Sequence, residues 1–363
     1  MGEHPGYQTL VGAFILDVID GNNYYSKNEL RSKTVEGYAK AVNTLFALRN
    51  CPLPVDFADP GNKGNILIRN LAVAENVANQ RNPLSPAIVA EIIKAAQNSH
   101  HDSAENAVLN ILAIGRLLGF RISEYGQTQQ NKIDYHTYAN KKTIIKAFLF
   151  SDWESFSNDG NKVNLAGLIS SMSLEQIYEM IDYVSVCWRI QKNRKNGQKV
   201  KVKKDLKNKI LCPVWNALQI ILRKFRIDRS NINSTPLCVF RAKKGDGFET
   251  RYLTGAKVAD VIRKAVKRVH PDVSKEELNK YSAHSIRVWA CVLMDQANMK
   301  PMTIKARLRW LGNSFELYLR DTSKINEMHR NSVSNDAAET LGLVTTISAG
   351  TDDPTLHYVD EMD

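Results

Sequence analysis

Along segment 34–46, apolar residues at positions 35, 38, 42, 45 and 46 recur at helical spacing. Ser32 and Thr34 are possible N-caps, and the predicted helix stops before Cys51-Pro52-Leu53-Pro54. A Pro/Asp/Gly-rich stretch through Asn65 separates it from a second helical segment at about 66–79. Arg81-Asn82-Pro83-Leu84-Ser85-Pro86 reads as a linker, because each proline disfavours helix in the residue before it, and it predicts a domain boundary after residue 82. Beyond it, 87–97 and 104–118 have amphipathic patterns, the latter with Val108, Ile111, Leu112 and Gly115 on one side. Gly119 is placed to end that helix in a left-handed conformation. The signal then changes: 143–150 and 184–190 are apolar and partly β-branched, and 198–203 alternates polar residues with valine. These predict strands, the last two joined in a hairpin around Asn193-Arg194-Lys195-Asn196-Gly197, where Asn-Gly is a strong turn signal. Segments 212–225, 256–269, 285–298 and 303–310 predict helices.

Composition narrows what such a chain can be. Its 363 residues are 43% hydrophobic, enough for two or three packed domains and too many for wholesale disorder. No stretch approaches the roughly 18 uninterrupted apolar residues of a membrane span. The N-terminal region through Tyr7, Leu10 and Phe14 lacks the basic start and small-residue cleavage site of a secretory leader, so the expectation is a protein neither secreted nor membrane-bound. Five scattered cysteines without a CxxC pair support neither a disulfide framework nor a zinc site.

Charge adds direction. The formal net charge is +11, but every charged residue after Arg330 is acidic: Asp336, Glu339, Asp352, Asp353, Asp360, Glu361 and Asp363. Residues 1–330 therefore set all 49 Lys+Arg against 31 of the 38 acids, a charge of +18. A field of that size favours a polyanion such as nucleic acid over the blander reading of a merely soluble basic protein. Its densest part is 189–209, where Arg189, Lys192, Arg194, Lys195, Lys199, Lys201, Lys203, Lys204, Lys207 and Lys209 face Asp205 alone. Arg189, Arg194, Lys195, Lys199 and Lys201 are the candidate DNA contacts of this strand-turn-strand element.

Three further blocks carry chemistry only in combination. Arg121 lies two residues after the helix-ending Gly119, with Glu124 three residues on and able to orient it. His284-Ser285-Ile286-Arg287 places a His and an Arg on one face at a helix start. Downstream stand Arg309-Trp310, Ser314-Phe315 and Tyr318-Leu319-Arg320. Singly, each has a plain structural reading: an ion pair for Arg121, core packing for Trp310, a half-buried aromatic for Tyr318. Together, in the order Arg, basic hairpin, His-x-x-Arg, Trp, Tyr, they form a pattern more specific than any member.

That ordered set resembles the tyrosine recombinases, or phage integrase family, most nearly the variant of eukaryotic mobile elements such as tyrosine-recombinase retroelements and Crypton-like transposons. The resemblance spans most of residues 30–325, is specific around Arg121, His284 and Tyr318, is weaker in the N-terminal domain and is absent from the acidic tail. It implies a mainly α fold with a small β-sheet: a helical core-binding domain (1–82), a mixed α/β catalytic domain (83–330) and a C-terminal tail (331–363). It also implies Arg121 and Arg287 as a clamp on the scissile phosphate, suited by the charged, planar guanidinium fork. Tyr318 would be the nucleophile of a 3′-phosphotyrosyl link, and His284 would assist its proton transfer or bond the phosphate. Trp310 stands where many members have His and can donate one hydrogen bond. The hairpin lysine that protonates the leaving 5′-oxygen would be Lys192, with Lys195 as runner-up. No cofactor and no metal is implied; the partner is double-stranded DNA and the assembly a homotetramer on it. The location would be nuclear in a eukaryote and cytoplasmic otherwise. Leu311-Gly312-Asn313 imitates the Leu-Gly-His of prokaryotic members, but that alignment would put the nucleophile near Thr322, so the Arg-Trp alignment is adopted, with Tyr318 eight residues after Trp310. A catalytically inactive DNA-binding descendant and a type IB topoisomerase are the alternatives.

Overall fold

The computed structural model describes residues 13, 32–74, 80–138, 140–191 and 196–310. These fall into two compact units, one ending at Asn79 and the other starting at Gln80. The first holds α1 (Ser32–Ala47) and α2 (Lys63–Ala74), which enclose a small core of Val35, Ala39, Val55 and Ile68. The Pro-rich connection is fastened by Asn43, whose side chain donates to the Val55 carbonyl at 2.6 Å and accepts from its N–H at 3.2 Å. Tyr38 and Leu45, expected on the buried face, are exposed. The apolar face of α1 is thus wider than the core it covers.

In the second unit the architecture is helices packed on one face of a small sheet. Helix α3 (Pro86–Gln97) begins at Ser85, whose hydroxyl accepts from the Ile88 N–H, with Pro86 supplying a preset φ at the first helical position. Helix α4 (Ala104–Leu118) is the hub. Rather than showing one apolar side, it is buried almost all round, from Ala107 through Ile114 to Leu118. Around it pack α3, α8 (Pro213–Ile227), α9 (Gly255–Val269) and α11 (Ser285–Gln296).

Three antiparallel sheets are present among the described residues. The largest has the order β4 (Lys162–Val163), β3 (Trp153–Phe156), β5 (Tyr183–Trp188), β6 (Gln198–Lys203). Val184 pairs with Val202 and Val186 with Val200, so these valines share one face with Trp153 and Trp188 and cover the core. By the two-residue period, Lys199, Lys201 and Lys203 stand on the opposite, solvent face. The two hairpins are β1 (Tyr135–Thr137) with β2 (Thr143–Ile145), and β7 (Val239–Lys244) with β8 (Gly247–Tyr252).

Two departures bear on the site. The strand expected over 143–150 ends at Ile145, because the chain turns inward to bury Ala147 and Phe148, and the Phe148 N–H donates to the Glu124 carbonyl at 2.8 Å. The last helix, expected over 303–310, is α12 (Pro301–Arg307), and it stops where Arg309 takes a left-handed φ of 58°. Short helices complete the unit: α5 (Ile122–Tyr125), α6 (Leu165–Leu168), α7 (Leu174–Met180) and α10 (Lys275–Asn279).

Candidate active site

Three chain segments converge at one corner of the second unit. The first is the α4–α5 turn. Gly119 ends α4 with φ 52°, and its N–H donates to the Gly115 carbonyl at 2.7 Å. A side chain is excluded there twice over: the left-handed backbone disfavours one, and a Cβ would lie 2.2 Å from Leu308 Cδ2. The bare glycine lets the C-terminal end of α12 approach α4. At Gly115 a Cβ would lie 2.8 Å from Ile286 Cγ2, so α11 approaches α4 closely as well.

From this turn Arg121 emerges as the N-cap residue of α5. Its backbone N–H donates to Glu124 Oε2 at 2.9 Å, its Nη1 to Glu124 Oε1 at 3.2 Å, and its Nη2 to the carbonyl of Arg309 at 2.9 Å. The side chain keeps 22% of its surface accessible. Glu124 is buried, and its carboxylate also receives Arg309 Nη2, at 2.8 Å from Oε2 and 3.1 Å from Oε1. One carboxylate therefore holds two guanidiniums, the geometry anticipated for Arg121 plus a partner that the sequence had left without a role. Removing one member of such a buried pair costs about 3–5 kcal/mol, because the remaining charge is stranded.

Arg287 comes from the first turn of α11 and is 1% exposed. Its Nη1 donates to the Gly119 carbonyl and its Nη2 to the Leu308 carbonyl, tying α11 to both neighbouring segments. Its guanidinium carbon lies 4.5 Å from the centre of the Trp310 ring, a cation–π contact. Trp310 is half-buried and packs with Ala290, Cys291, Met294, Ile304 and Leu308. Arg309, between Leu308 and Trp310, is 3% exposed. Its Nη1 donates to the Leu118 carbonyl at 2.9 Å, its guanidinium carbon stands 4.2 Å from the centre of the Trp188 ring, and its buried Nε meets no acceptor among the described residues. Burial above all holds its pKa below the usual arginine value, opposed by the Glu124 carboxylate.

His284 precedes α11 and is exposed at the rim, its N–H donating to Ser282 Oγ at 3.2 Å. Although part of its surface meets solvent, the protein packed around the ring pushes its pKa down to about 4. The positive charges of Arg287, Arg81 and Arg121 act in the same direction. The imidazole is thus neutral at pH 7, able to accept one proton.

Arg121, His284, Arg287 and Trp310 are therefore neighbours in space although 189 positions separate the first from the last. Lys192, Arg194, Lys195 and Tyr318 lie outside the described residues. Arg189 is drawn to the base of the hairpin, donating from Nε to Asp152 Oδ2 at 2.7 Å and from Nη2 to the Ala147 carbonyl at 2.6 Å. Lys199 is exposed and pairs with Glu154 at 2.9 Å, while the Lys201 ammonium lies 5.2 Å from the Tyr183 ring centre. Arg116, in the last turn of α4, donates to Asp205 and the Leu211 carbonyl. Arg309 is the residue that sequence reasoning quoted without assigning. Its signal was the Arg-Trp pair, but only the fold shows its side chain turned inward.

No protein-family model matches the chain, and no curated protein does either. Among solved structures it is similar to the Tn1549 transposon integrase in complex with transposon right end DNA. There the identity is 11%, covering 92% of this chain and 85% of that one, with a TM-score of 0.45. The same integrase in complex with circular intermediate DNA gives 12% identity, 91% and 87% coverage and a TM-score of 0.44. XerA recombinase gives 12%, 90% and 91%, and 0.36.

Proposed function

We propose that the protein is a tyrosine recombinase that cleaves and rejoins double-stranded DNA through a 3′-phosphotyrosyl link on Tyr318, in the service of a mobile element. The observation that carries this reading is the convergence of Arg121, His284, Arg287 and Trp310 on one corner, delivered by three chain segments, with His284 and Arg287 both from the start of α11. A phosphodiester in transfer develops negative charge on its non-bridging oxygens, and preorganised guanidiniums stabilise that charge without reorganising. Arg121 is the partly accessible member of the pair. Arg287 is buried and held by two backbone carbonyls and the Trp310 ring, so Arg121 is the preorganised member and Arg287 reaches the phosphate by exchanging these bonds when DNA binds. A phenol with pKa near 10 must lose its proton as it attacks, and a neutral His284 at the rim can take it. The hairpin lysines supply backbone neutralisation, and Lys192 the proton for the leaving 5′-oxygen. Joining two duplexes calls for four active sites, hence a homotetramer on DNA.

The test uses the full chain and a pool of nicked duplexes with randomised arms, whose nick lets the cleaved strand diffuse away and traps the covalent complex. An adduct stable to denaturant should form with the wild type and be lost in Tyr318→Phe. Sequencing the trapped strands returns the target site. An adduct undiminished in Tyr318→Phe overturns the assignment of the nucleophile.

A further inference from the structure

Arg309 sits in a place that suits it badly on local grounds. Its φ of 58° is left-handed, where a glycine rests without strain and a Cβ-bearing residue does not. Its side chain is 1% exposed, so its charge is removed from water, and its Nε meets no acceptor among the described residues. Residues held against local preference in this way mark sites where the surroundings over-determine the conformation. What the arginine does there is visible in its contacts. Both Glu124 oxygens receive its Nη2, the Leu118 carbonyl receives its Nη1, and Trp188 lies beneath its plane. Its own carbonyl receives Arg121 Nη2. The left-handed turn then delivers the next residue, Trp310, to the Arg287 guanidinium.

We propose that Arg309 is a positioning residue for the strand-transfer chemistry, acting through Glu124 to hold Arg121 and through its turn to hold Trp310 against Arg287. The inference rests on the recombinase reading above. A carboxylate bonded by one guanidinium alone could rotate and release it. Held from the far side by Arg309, Glu124 presents fixed oxygens to the backbone and the Nη1 of Arg121, which leaves the Arg121 fork one orientation. Lysine cannot reproduce this, because a point ammonium cannot bond Glu124 and the Leu118 carbonyl with a planar fork.

The decisive variant is Arg309→Gly, which suits the left-handed turn and deletes the side chain, guanidinium included. With the full chain and its trapped substrate, single-turnover cleavage should fall about a hundredfold, the usual effect of misplacing a catalytic group by an ångström. The affinity for that duplex should stay within about twofold, since a buried charge bonded to a carboxylate adds little to the outward field. The double variant Glu124→Gln/Arg309→Gly should cleave no more slowly than the slower single variant, because both act on one contact. Cleavage by Arg309→Gly at the wild-type rate, or an additive double variant, overturns the inference. If Arg309→Gly does not fold, Arg309→Lys decides in the same way: retained melting temperature with slow cleavage supports the role, and wild-type cleavage removes it. A wild type that forms no Tyr318 adduct overturns the recombinase reading instead. The positioning is then read by NMR of the guanidinium protons, where Arg121 resonances that exchange slowly in the wild type should broaden in Arg309→Gly; unchanged resonances reject the inference independently of activity.

Discussion

The protonation state of His284 decides what it can do for a tyrosine hydroxyl. Its ring loses solvation to the surrounding protein and faces the charges of Arg287, Arg81 and Arg121, which bring its pKa from the ordinary 6.5 to about 4. Between these values the unfolded chain binds a proton that the folded chain refuses. The stability contributed by keeping His284 neutral is therefore whole above about pH 6.5, declines as pH falls through the window, and is lost below about pH 4. An NMR titration of its imidazole protons should show no inflection near 6.5, and His284→Gln should flatten the acid side of the stability profile over that window. A midpoint near 6.5 would show that the surrounding protein and the three guanidiniums do not depress the imidazole. At this scale the sequence was informative where helix starts and spacing place residues, as with Arg121 and the His284–Arg287 pair. It was silent on Arg309, because a positive φ at a non-glycine residue and an inward guanidinium are set by Glu124, Leu118 and Trp188, all far away along the chain.

Helix ends, rather than helix middles, build the site, and Gly119 shows how tightly. Substituting Gly119→Ala forces a Cβ into a left-handed backbone and to 2.2 Å from Leu308 Cδ2. The backbone term is about 1–2 kcal/mol and the overpacking about 1–3 kcal/mol, so a loss of about 2–5 kcal/mol is expected in urea unfolding. Because Arg287 bonds the carbonyls of both Gly119 and Leu308, the variant should also lose cleavage beyond what its stability loss explains. Unchanged stability would show that Leu308 yields without cost. Elements of this kind were legible in the sequence: the glycine stop after 118 and the β6 valine alternation both stand where expected. The β7–β8 hairpin is hard to see in the sequence despite its Gly245-Asp246-Gly247 turn, because its exposed lysines dilute the apolar signal. Helix α4 read as amphipathic because Asn110 and Asn106 look like a polar face. In fact Asn110 is buried, bonding Asn216 at 2.8 Å and Arg223 at 2.6 Å. A central helix can carry polar residues when its neighbours satisfy them.

Over the whole molecule the charge divides into +18 on residues 1–330 and −7 beyond, and this division makes a prediction independent of the active site. The solvent face of the largest sheet presents Lys199, Lys201 and Lys203, and only part of that charge is neutralised, Lys199 by Glu154 and Lys203 by Asp182 at 3.9 Å. A polyanion approaching this face meets cations carried on paired strands, while the seven acids after Arg330, with no basic residue among them, lower the net charge from one terminal stretch. Truncation after Arg330 raises the formal charge from +11 to +18 without touching any residue of the site. Long-range attraction scales with that charge and is screened over a Debye length of about 10 Å at 0.1 M salt. Association with a duplex of arbitrary sequence should therefore be faster in the truncated chain, roughly tenfold at low ionic strength, and the two chains should converge as salt rises. Stopped-flow association across a salt series measures this directly. Equal rates at low salt would show that the tail's charge does not reach the lysine-bearing sheet face, whereas a difference that persists at high salt would point to a contact made by the tail itself, since screening removes field effects and leaves short-range ones.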